Sequence, residues 1–179
     1  MSRLTIRTTS ELQPETVEAL DPVRLNGKIS DVYLQFANSE IALQAYLNME
    51  ASLRKGSLST CELEAVKLWV SQQTGCQYCL SIHSYKARQA GLSDEQQLAI
   101  RAGSTTGGAR MDALLSIARA VYQTPGSLPQ SMLIDAREAG LDDENMIDLM
   151  MAISTIFFTN LTNHINDTQS PLPPAPALT

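Results

Sequence analysis

The sequence predicts an all-α protein, and three observations lead to that fold class. Apolar residues recur at helical spacing through most of the chain. Helix-start signals of the form Ser/Thr-x-x-Glu/Gln and glycines suited to helix ends separate these segments. Alternation of apolar and polar residues, which would predict strands, is nearly absent. With 179 residues, 44% of them hydrophobic, the chain is expected to form one domain, 1–179, with a full core.

The first half of the chain predicts helices after an irregular start. Residues 1–25 contain two prolines and no clear period, so we expect an arm that wraps the domain or a neighbouring molecule. Residues 29–54 have helical periodicity with a break near Asn38. Ser59-Thr60-Cys61-Glu62 is a capping box for the next helix, and Thr74-Gly75-Cys76-Gln77 is a capping box for the helix after it.

The second half continues the helical pattern. Further helices are expected over 93–103, 110–123, 129–139 and 143–166, followed by a proline-rich tail over 169–179. One internal repeat lies within these segments, because Ala87–Glu95 recurs as Ala136–Glu144 at an offset of 49 residues. Either two good helix–glycine–helix junctions arose independently, or a helical hairpin was duplicated. The second copy has no matching cysteines or histidine, so both interpretations predict one active site per chain.

Cys76, Cys79 and His83 carry the clearest chemical signal. Positions i, i+3 and i+7 share one face of a helix, so the three side chains should project together. The predicted first-turn position of Cys76 favours its thiolate, because unpaired N–H groups and the positive dipole end lie there. Cys79 is an i,i+4 step from His83, whose imidazole can accept the thiol proton. Each cysteine has its own reason to be reactive, and the residues alone leave open which one attacks.

Three other interpretations of this motif stay open. The two cysteines could be inert core residues. A zinc ion could be held by Cys76, Cys79 and His83 with Glu64 or His164 as the fourth ligand. A structural disulfide is the third, although nothing marks the chain as exported. Glu64 itself lies off the apolar stripe of its helix, so periodicity alone predicts a solvated side chain.

A glutamate twelve residues before a Cys-x-x-Cys-x-x-x-His motif resembles the signature of the alkyl hydroperoxidase D (AhpD)-like branch of the carboxymuconolactone decarboxylase family. The matching positions are Glu64, Cys76, Cys79 and His83. The Gly-Ser-Leu-Ser run before Glu62, Tyr78, and the Asn160, Asn163 and His164 region also resemble its peroxidase-related members. The resemblance covers about residues 25 to 168.

This resemblance implies an all-helical, AhpD-like fold and a homo-oligomer, commonly a trimer or hexamer. It also implies that a dithiol reduces a hydroperoxide and becomes a disulfide, with no metal or other cofactor. By position, Cys79 would be the attacking thiolate, Cys76 the resolving thiol, His83 the base and Glu64 the relay carboxylate. True decarboxylases of the family generally lack the cysteine pair, so its presence argues against lactone decarboxylation.

Composition excludes several partners and sets the compartment. The net charge of −6 argues against nucleic-acid or anionic-membrane binding. The most apolar segment, 149–158, is too short to span a bilayer, and residues 1–7 do not form a signal peptide. We therefore expect a cytoplasmic location, where a Cys-x-x-Cys is more often catalytic or metal-binding than structural.

The remaining candidate residues predict packing. Cys61 is expected to be a small buried hydrophobe, and His164 a core or interface residue. Trp69 and three methionines of the last helix are expected in the core or an oligomer contact.

The sequence therefore predicts a thiol-dependent alkyl hydroperoxide reductase that needs an external thiol or dithiol. The alternatives are a protein disulfide oxidoreductase and a redox-sensing oligomer without turnover.

Overall fold

The structure is a computed structural model that describes residues 2–24, 27–124 and 126–178. The parts of the predicted arm, turn and tail that fall on residues 1, 25, 26, 125 and 179 lie outside these ranges. The described residues form nine α-helices and no strand, which confirms the predicted fold class. The helices are α1 (Pro14–Ala19), α2 (Asp31–Phe36), α3 (Glu40–Leu53), α4 (Thr60–Thr74), α5 (Gln77–Gln89), α6 (Asp94–Ala102), α7 (Ala109–Gln123), α8 (Gln130–Glu138) and α9 (Asp143–Asn166).

α4 lies at the centre of the fold. Every residue from Glu62 to Ser71 is buried, because α5, α6, α7 and α9 all pack against α4. Trp69 is 1% exposed and meets the Tyr122 ring edge-on at 5.4 Å, which confirms its predicted core position. Full burial of one large apolar side chain stabilises a fold by about 1.5–3 kcal/mol. A helix buried on all sides also withdraws its polar residues from water, and Glu64 is one of them.

The N-terminal segment packs on its own chain. Leu12 and Leu20 are buried in a smaller apolar cluster with α2 and α3. The backbone N–H groups of Arg3 and Leu4 donate to Asn166 Oδ1, at 3.0 and 2.7 Å. The described part of the predicted arm therefore wraps this domain and reaches the end of α9.

Capping determines where several helices begin. The Ser59 and Glu62 pair forms the predicted capping box of α4, with Ser59 N–H donating to Glu62 Oε2 at 2.8 Å. Ser93 and Gln96 form the equivalent box of α6. These local bonds satisfy N–H groups that have no partner within the helix.

The repeated segments form two equivalent turns. Gly91 and Gly140 both have positive φ, 98° and 86°, which a residue with a Cβ adopts only with strain. In the first turn Leu92 N–H donates to Ala87 O at 3.0 Å, and Leu141 N–H makes the corresponding bond in the second. The repeat is thus structural as well as sequential, and common ancestry of the hairpins stays a prediction.

α9 is the longest helix and has a partly exposed apolar face. Ile147, Leu161 and Ile165 are 70%, 45% and 63% exposed. Exposed apolar side chains that share one helix face often mark a contact with another molecule. No helix in the described parts of the chain is long and apolar enough to cross a bilayer.

Candidate active site

The turn between α4 and α5 places the two cysteines. Gly75 ends α4 with φ 71°, a left-handed conformation that glycine adopts without strain. Cys76 follows as the N-cap of α5, and its N–H donates to Ser71 O at 3.1 Å. The predicted capping box from Thr74 to Gln77 is therefore wrong. Thr74 is the last residue of α4 and its hydroxyl donates back to Ser71 O, because Gly75 stops that helix first.

The two thiols lie together in the protein interior. Cys76 and Cys79 are each 2% exposed, and all three cysteines of the chain are free thiols. Interaction with the neighbouring Cys79 thiol lowers the pKa of Cys76 more than burial raises it. The backbone N–H groups of Cys79 and Tyr78 and the Asn163 amide lower that pKa further. Helix starts stabilise anions in this way, so the geometry favours a negative charge on Cys76.

Cys79 has the opposite tendency. Its hydrogen bond to Cys76, its burial and the nearby Cys76 charge raise the pKa of the Cys79 thiol. The Asn163 amide and the Thr159 hydroxyl oppose that rise. The resemblance implies that Cys79 attacks, whereas these pKa directions place the first charge on Cys76. The order of attack stays a prediction.

Glu64 and His83 form a buried pair beside the thiols. The His83 Nδ1 to Glu64 Oε2 distance is 2.7 Å, and each residue is 7% exposed. Burial raises the pKa of Glu64, but the His83 charge and hydrogen bond, with Lys86 and Lys67, lower it overall to about 2. Burial, together with the Lys86 and Lys67 charges, lowers the pKa of His83 overall, although the Glu64 charge and hydrogen bond raise it. At neutral pH we therefore assign a carboxylate and a neutral imidazole, with Nδ1–H donating to Glu64.

The solvated position that periodicity alone predicted for Glu64 is wrong, whereas the resemblance implied a residue of the site. Periodicity placed it on a polar face, but α5 packs against the side of α4 that bears it. Lys67, one turn further along α4, is also buried, and its Nζ donates to both Glu50 carboxylate oxygens at 2.8 and 2.9 Å. Glu64, Lys67 and Glu50 line a cavity of about 300 Å³. This cavity gives the buried Glu64–His83 pair a route to solvent.

His83 and Cys79 lie one helical turn apart on α5, as predicted. Among the described residues, the hydrogen-bond partner of His83 is Glu64, and the ring bonds neither sulfur. The structure thus brings Cys76 and Cys79 into one cluster and Glu64 and His83 into a second pair. Hydrogen bonds of the described residues do not connect the thiol pair to the Glu64–His83 pair, so a proton transfer between them has no continuous hydrogen-bonded path.

The resemblance included the Asn160 and Asn163 region of α9, but the sequence-based prediction gave these residues no role at the thiols. Asn163 is 3% exposed, and its Nδ2 donates to Cys79 Sγ at 3.3 Å. Thr159 and Asn160 are buried one turn earlier on the same side of the helix. Three polar residues at spacings of one, three and four within an apolar helix were a usable signal, because buried polar groups need partners.

The other predicted candidates lie apart from this cluster. Cys61 is the second residue of α4 and half-buried, and burial with the Glu62 charge raises the pKa of its thiol, which agrees with an unreactive role. His164 is exposed on α9, so its predicted core position is wrong and an interface position stays a prediction. The three predicted packing methionines, Met146, Met150 and Met151, are half-buried. Across residues 2–24, 27–124 and 126–178, no three His, Cys, Asp or Glu residues form a group that could hold a metal ion.

Comparison with known proteins supports the same family. Residues 41–120 match the model of the carboxymuconolactone decarboxylase family. An uncharacterised protein, YdfG of Bacillus subtilis, is 24% identical over 117 residues, which are 64% of this chain and 79% of YdfG.

Two solved structures show the fold. The alkylhydroperoxidase AhpD core of an uncharacterised peroxidase-related protein from Ralstonia eutropha superposes with a TM-score of 0.83 at 18% identity, over 94% of this chain and 92% of that one. The debrominase Bmp8 superposes with a TM-score of 0.73 at 19% identity, over 95% and 92% of the two chains. The matched segment contains the Glu64, Cys76, Cys79 and His83 cluster, and the fold is that of AhpD. The match over residues 41–120 and the shared fold together support an AhpD-like member of the carboxymuconolactone decarboxylase family.

Proposed function

We propose that the protein is a thiol-dependent reductase of alkyl hydroperoxides. The observation that carries the proposal is the buried Cys76–Cys79 pair at the start of α5, with Asn163 donating to Cys79 Sγ and the Glu64–His83 pair one turn away. A thiolate is the nucleophile that attacks peroxide oxygen, and a second thiol within bonding distance protects the product from over-oxidation.

The first step is loss of one proton from the thiol pair. The remaining proton is shared along the Cys79–Cys76 hydrogen bond, with the charge resting on Cys76. His83 is suited to accept the departing proton, because Glu64 holds its Nδ1–H and leaves Nε2 as the basic nitrogen.

The second step is attack on the hydroperoxide. Cys79 passes its proton to the Cys76 sulfur, and the Cys79 sulfur attacks the hydrogen-bearing oxygen of the hydroperoxide. A sulfur–oxygen bond forms, the oxygen–oxygen bond breaks, and the alkoxide leaves with the electron pair. The proton held by His83 converts the alkoxide into an alcohol, and Cys79 becomes a sulfenic acid.

The third step closes the disulfide. The Cys76 sulfur attacks the Cys79 sulfenic acid, and its proton leaves with the hydroxide as water. Overall, two thiols and one hydroperoxide give a disulfide, an alcohol and water. An external thiol or dithiol then supplies two electrons by thiol–disulfide exchange.

Burial of the sulfurs argues against the alternative of a protein disulfide oxidoreductase. A folded protein substrate must bring its disulfide into contact with the attacking thiolate, and Cys76 and Cys79 are each only 2% exposed. A small hydroperoxide needs far less space. The other alternative, a redox-sensing oligomer, predicts no catalytic turnover of hydroperoxide, so a turnover assay separates it from the proposed reductase.

A second candidate reaction is thiol-dependent dehalogenation, which the similarity to the debrominase Bmp8 favours. It would use the same pair of thiols, so substrate comparison separates the two. Alkyl hydroperoxide reduction is the better supported because the Ralstonia eutropha structure, which superposes with the higher TM-score, is that of a peroxidase-related protein.

We also propose a homo-oligomer and a cytoplasmic location. The exposed Ile147, Leu161 and Ile165 side chains on α9 provide an apolar contact surface. A reducing compartment keeps the Cys76–Cys79 pair in its dithiol form between turnovers.

The test is a mass spectrum and a turnover assay. One equivalent of cumene hydroperoxide should give a loss of two hydrogens assigned to a Cys76–Cys79 disulfide, with cumyl alcohol in equal amount. Dithiothreitol should then support repeated turnover, and 2,3,4-tribromopyrrole and a disulfide-bonded protein are run in parallel. Absence of the disulfide, or faster turnover of either alternative substrate, would reject the proposal.

A further inference from the structure

Asn163 is buried, and only one of the two polar atoms of its side-chain amide makes a hydrogen bond. Its Nδ2 donates to Cys79 Sγ at 3.3 Å, and the same amide also lowers the pKa of Cys76. Its Oδ1 is buried and has no partner among the described residues. A buried carbonyl oxygen without a donor is uncommon and costs stability, so its lack of a partner calls for an explanation.

Neighbouring amides of α9 do not share this feature. Asn160 Nδ2 donates to Thr74 Oγ1 at 2.8 Å, and its Oδ1 accepts from Ser71 Oγ at 3.4 Å. Asn166 Oδ1 accepts from the backbone of Arg3 and Leu4. The unused acceptor on this row of asparagines therefore lies at the residue that touches the reactive sulfur.

We propose that Asn163 orients the hydroperoxide, with Nδ2 holding the Cys79 sulfur and Oδ1 accepting the hydroperoxide O–H. This inference rests on the proposed function and adds a residue that selects substrates carrying an O–H donor. Both amide atoms are bonded to one carbon, so an oxygen bound to Oδ1 lies beside the sulfur that Nδ2 holds. That oxygen is the one the thiolate attacks, and positioning of this kind lowers the activation barrier.

Orientation of the hydroperoxide by Asn163 can be distinguished experimentally from an effect of Asn163 on the acidity of the thiol. Methyl methanethiosulfonate reacts with the same thiolate but has no O–H or N–H group to donate. The ratio of the rate constants for cumene hydroperoxide and for this reagent cancels the thiolate fraction. Measured in a Cys76→Ser background, both rate constants report on Cys79, and peptide mass spectrometry confirms the modified residue.

The experiment compares matched serine variants one turn apart. Adding Asn163→Ser should lower the rate ratio about tenfold, as expected for loss of one productive hydrogen bond. Adding Asn160→Ser should leave the ratio within about twofold of the parent, because Asn160 bonds Thr74 and Ser71 and neither sulfur. Asn163→Leu fills the same space without polar atoms and should lower the ratio as Asn163→Ser does, and circular dichroism checks the fold of each protein.

Two outcomes overturn the proposal in different ways. An unchanged ratio in folded Asn163→Ser or Asn163→Leu would mean that Asn163 only tunes the thiol. A native protein, with both Cys76 and Cys79 present, that reacts with methyl methanethiosulfonate but reduces the hydroperoxide no faster than free cysteine would reject the proposed function together with this role.

Discussion

Replacement of Glu64 by glutamine tests the buried pair most directly. The amide has the size of the carboxylate and its oxygen can still accept from His83 Nδ1–H, so the 2.7 Å contact can persist. Only the charge is lost. Because Glu64 contacts His83 and neither sulfur, it is a positioning residue that acts through the imidazole.

The expected magnitude follows from that contact. A hydrogen bond to a charged group contributes about 1.5–3 kcal/mol and a neutral one about 1 kcal/mol. Partners that orient a functional histidine typically change activity about 10- to 100-fold when mutated. We therefore expect Glu64→Gln to lower the single-turnover rate with cumene hydroperoxide by about 10- to 100-fold at neutral pH.

The pH profile separates this effect from structural damage. Activity that uses neutral His83 as a base falls as pH drops through the His83 pKa. Glu64 raises that pKa against burial, so its replacement should move the acidic limb to lower pH. Damage that exposed His83 to water would move the limb to higher pH. A rate near that of the native protein with an unshifted limb, in a variant with native circular dichroism, would refute the reasoning.

Three further predictions concern the thiols, the assembly and stability. Cys79→Ser should abolish hydroperoxide reduction. Cys76→Ser, which loses the proton acceptor, should complete one slow turnover and trap a sulfenic acid at Cys79. Dimedone labelling of Cys76 in Cys79→Ser would instead make Cys76 the attacking residue. Light scattering should give a trimer or hexamer mass that Ile165→Glu or Leu161→Glu reduces, and a monomeric native mass at micromolar concentration would contradict the proposed interface. The lowered pKa of His83 means that the unfolded chain binds its proton first, so the unfolding free energy in urea should decrease as pH falls below about 6.5. His83→Gln should flatten that decrease, and an equal slope in both proteins would remove His83 as its source.

Much of the fold could be predicted because local signals determine it. The bounds of α9 agree with the predicted 143–166, and the Ser59 and Ser93 capping boxes form as expected. Each depends on neighbours within four residues. The box at Thr74 failed for the same kind of local reason, since a left-handed Gly75 ends α4 before that box can form.

The candidate site was only partly predictable. The spacing of Cys76, Cys79 and His83 placed them on one helix, but burial of Glu64 depends on how α5 packs against α4. The contact of Asn163 with Cys79 spans 84 residues of sequence, and no local pattern encodes such a distance. Periodicity assigns a residue to a face of its own helix, whereas tertiary packing decides what covers that face.

The separation between Cys79 and Asn163 also affects how the protein is made. At roughly 5–20 residues per second, synthesis of the 84 residues that follow Cys79, up to and including Asn163, takes roughly 4 to 17 seconds. During that interval the cysteines have left the site of peptide-bond formation, but the helix that buries them does not yet exist. Premature pairing of Cys61 with Cys76 or Cys79 during that interval would trap the nascent chain before α9 can dock.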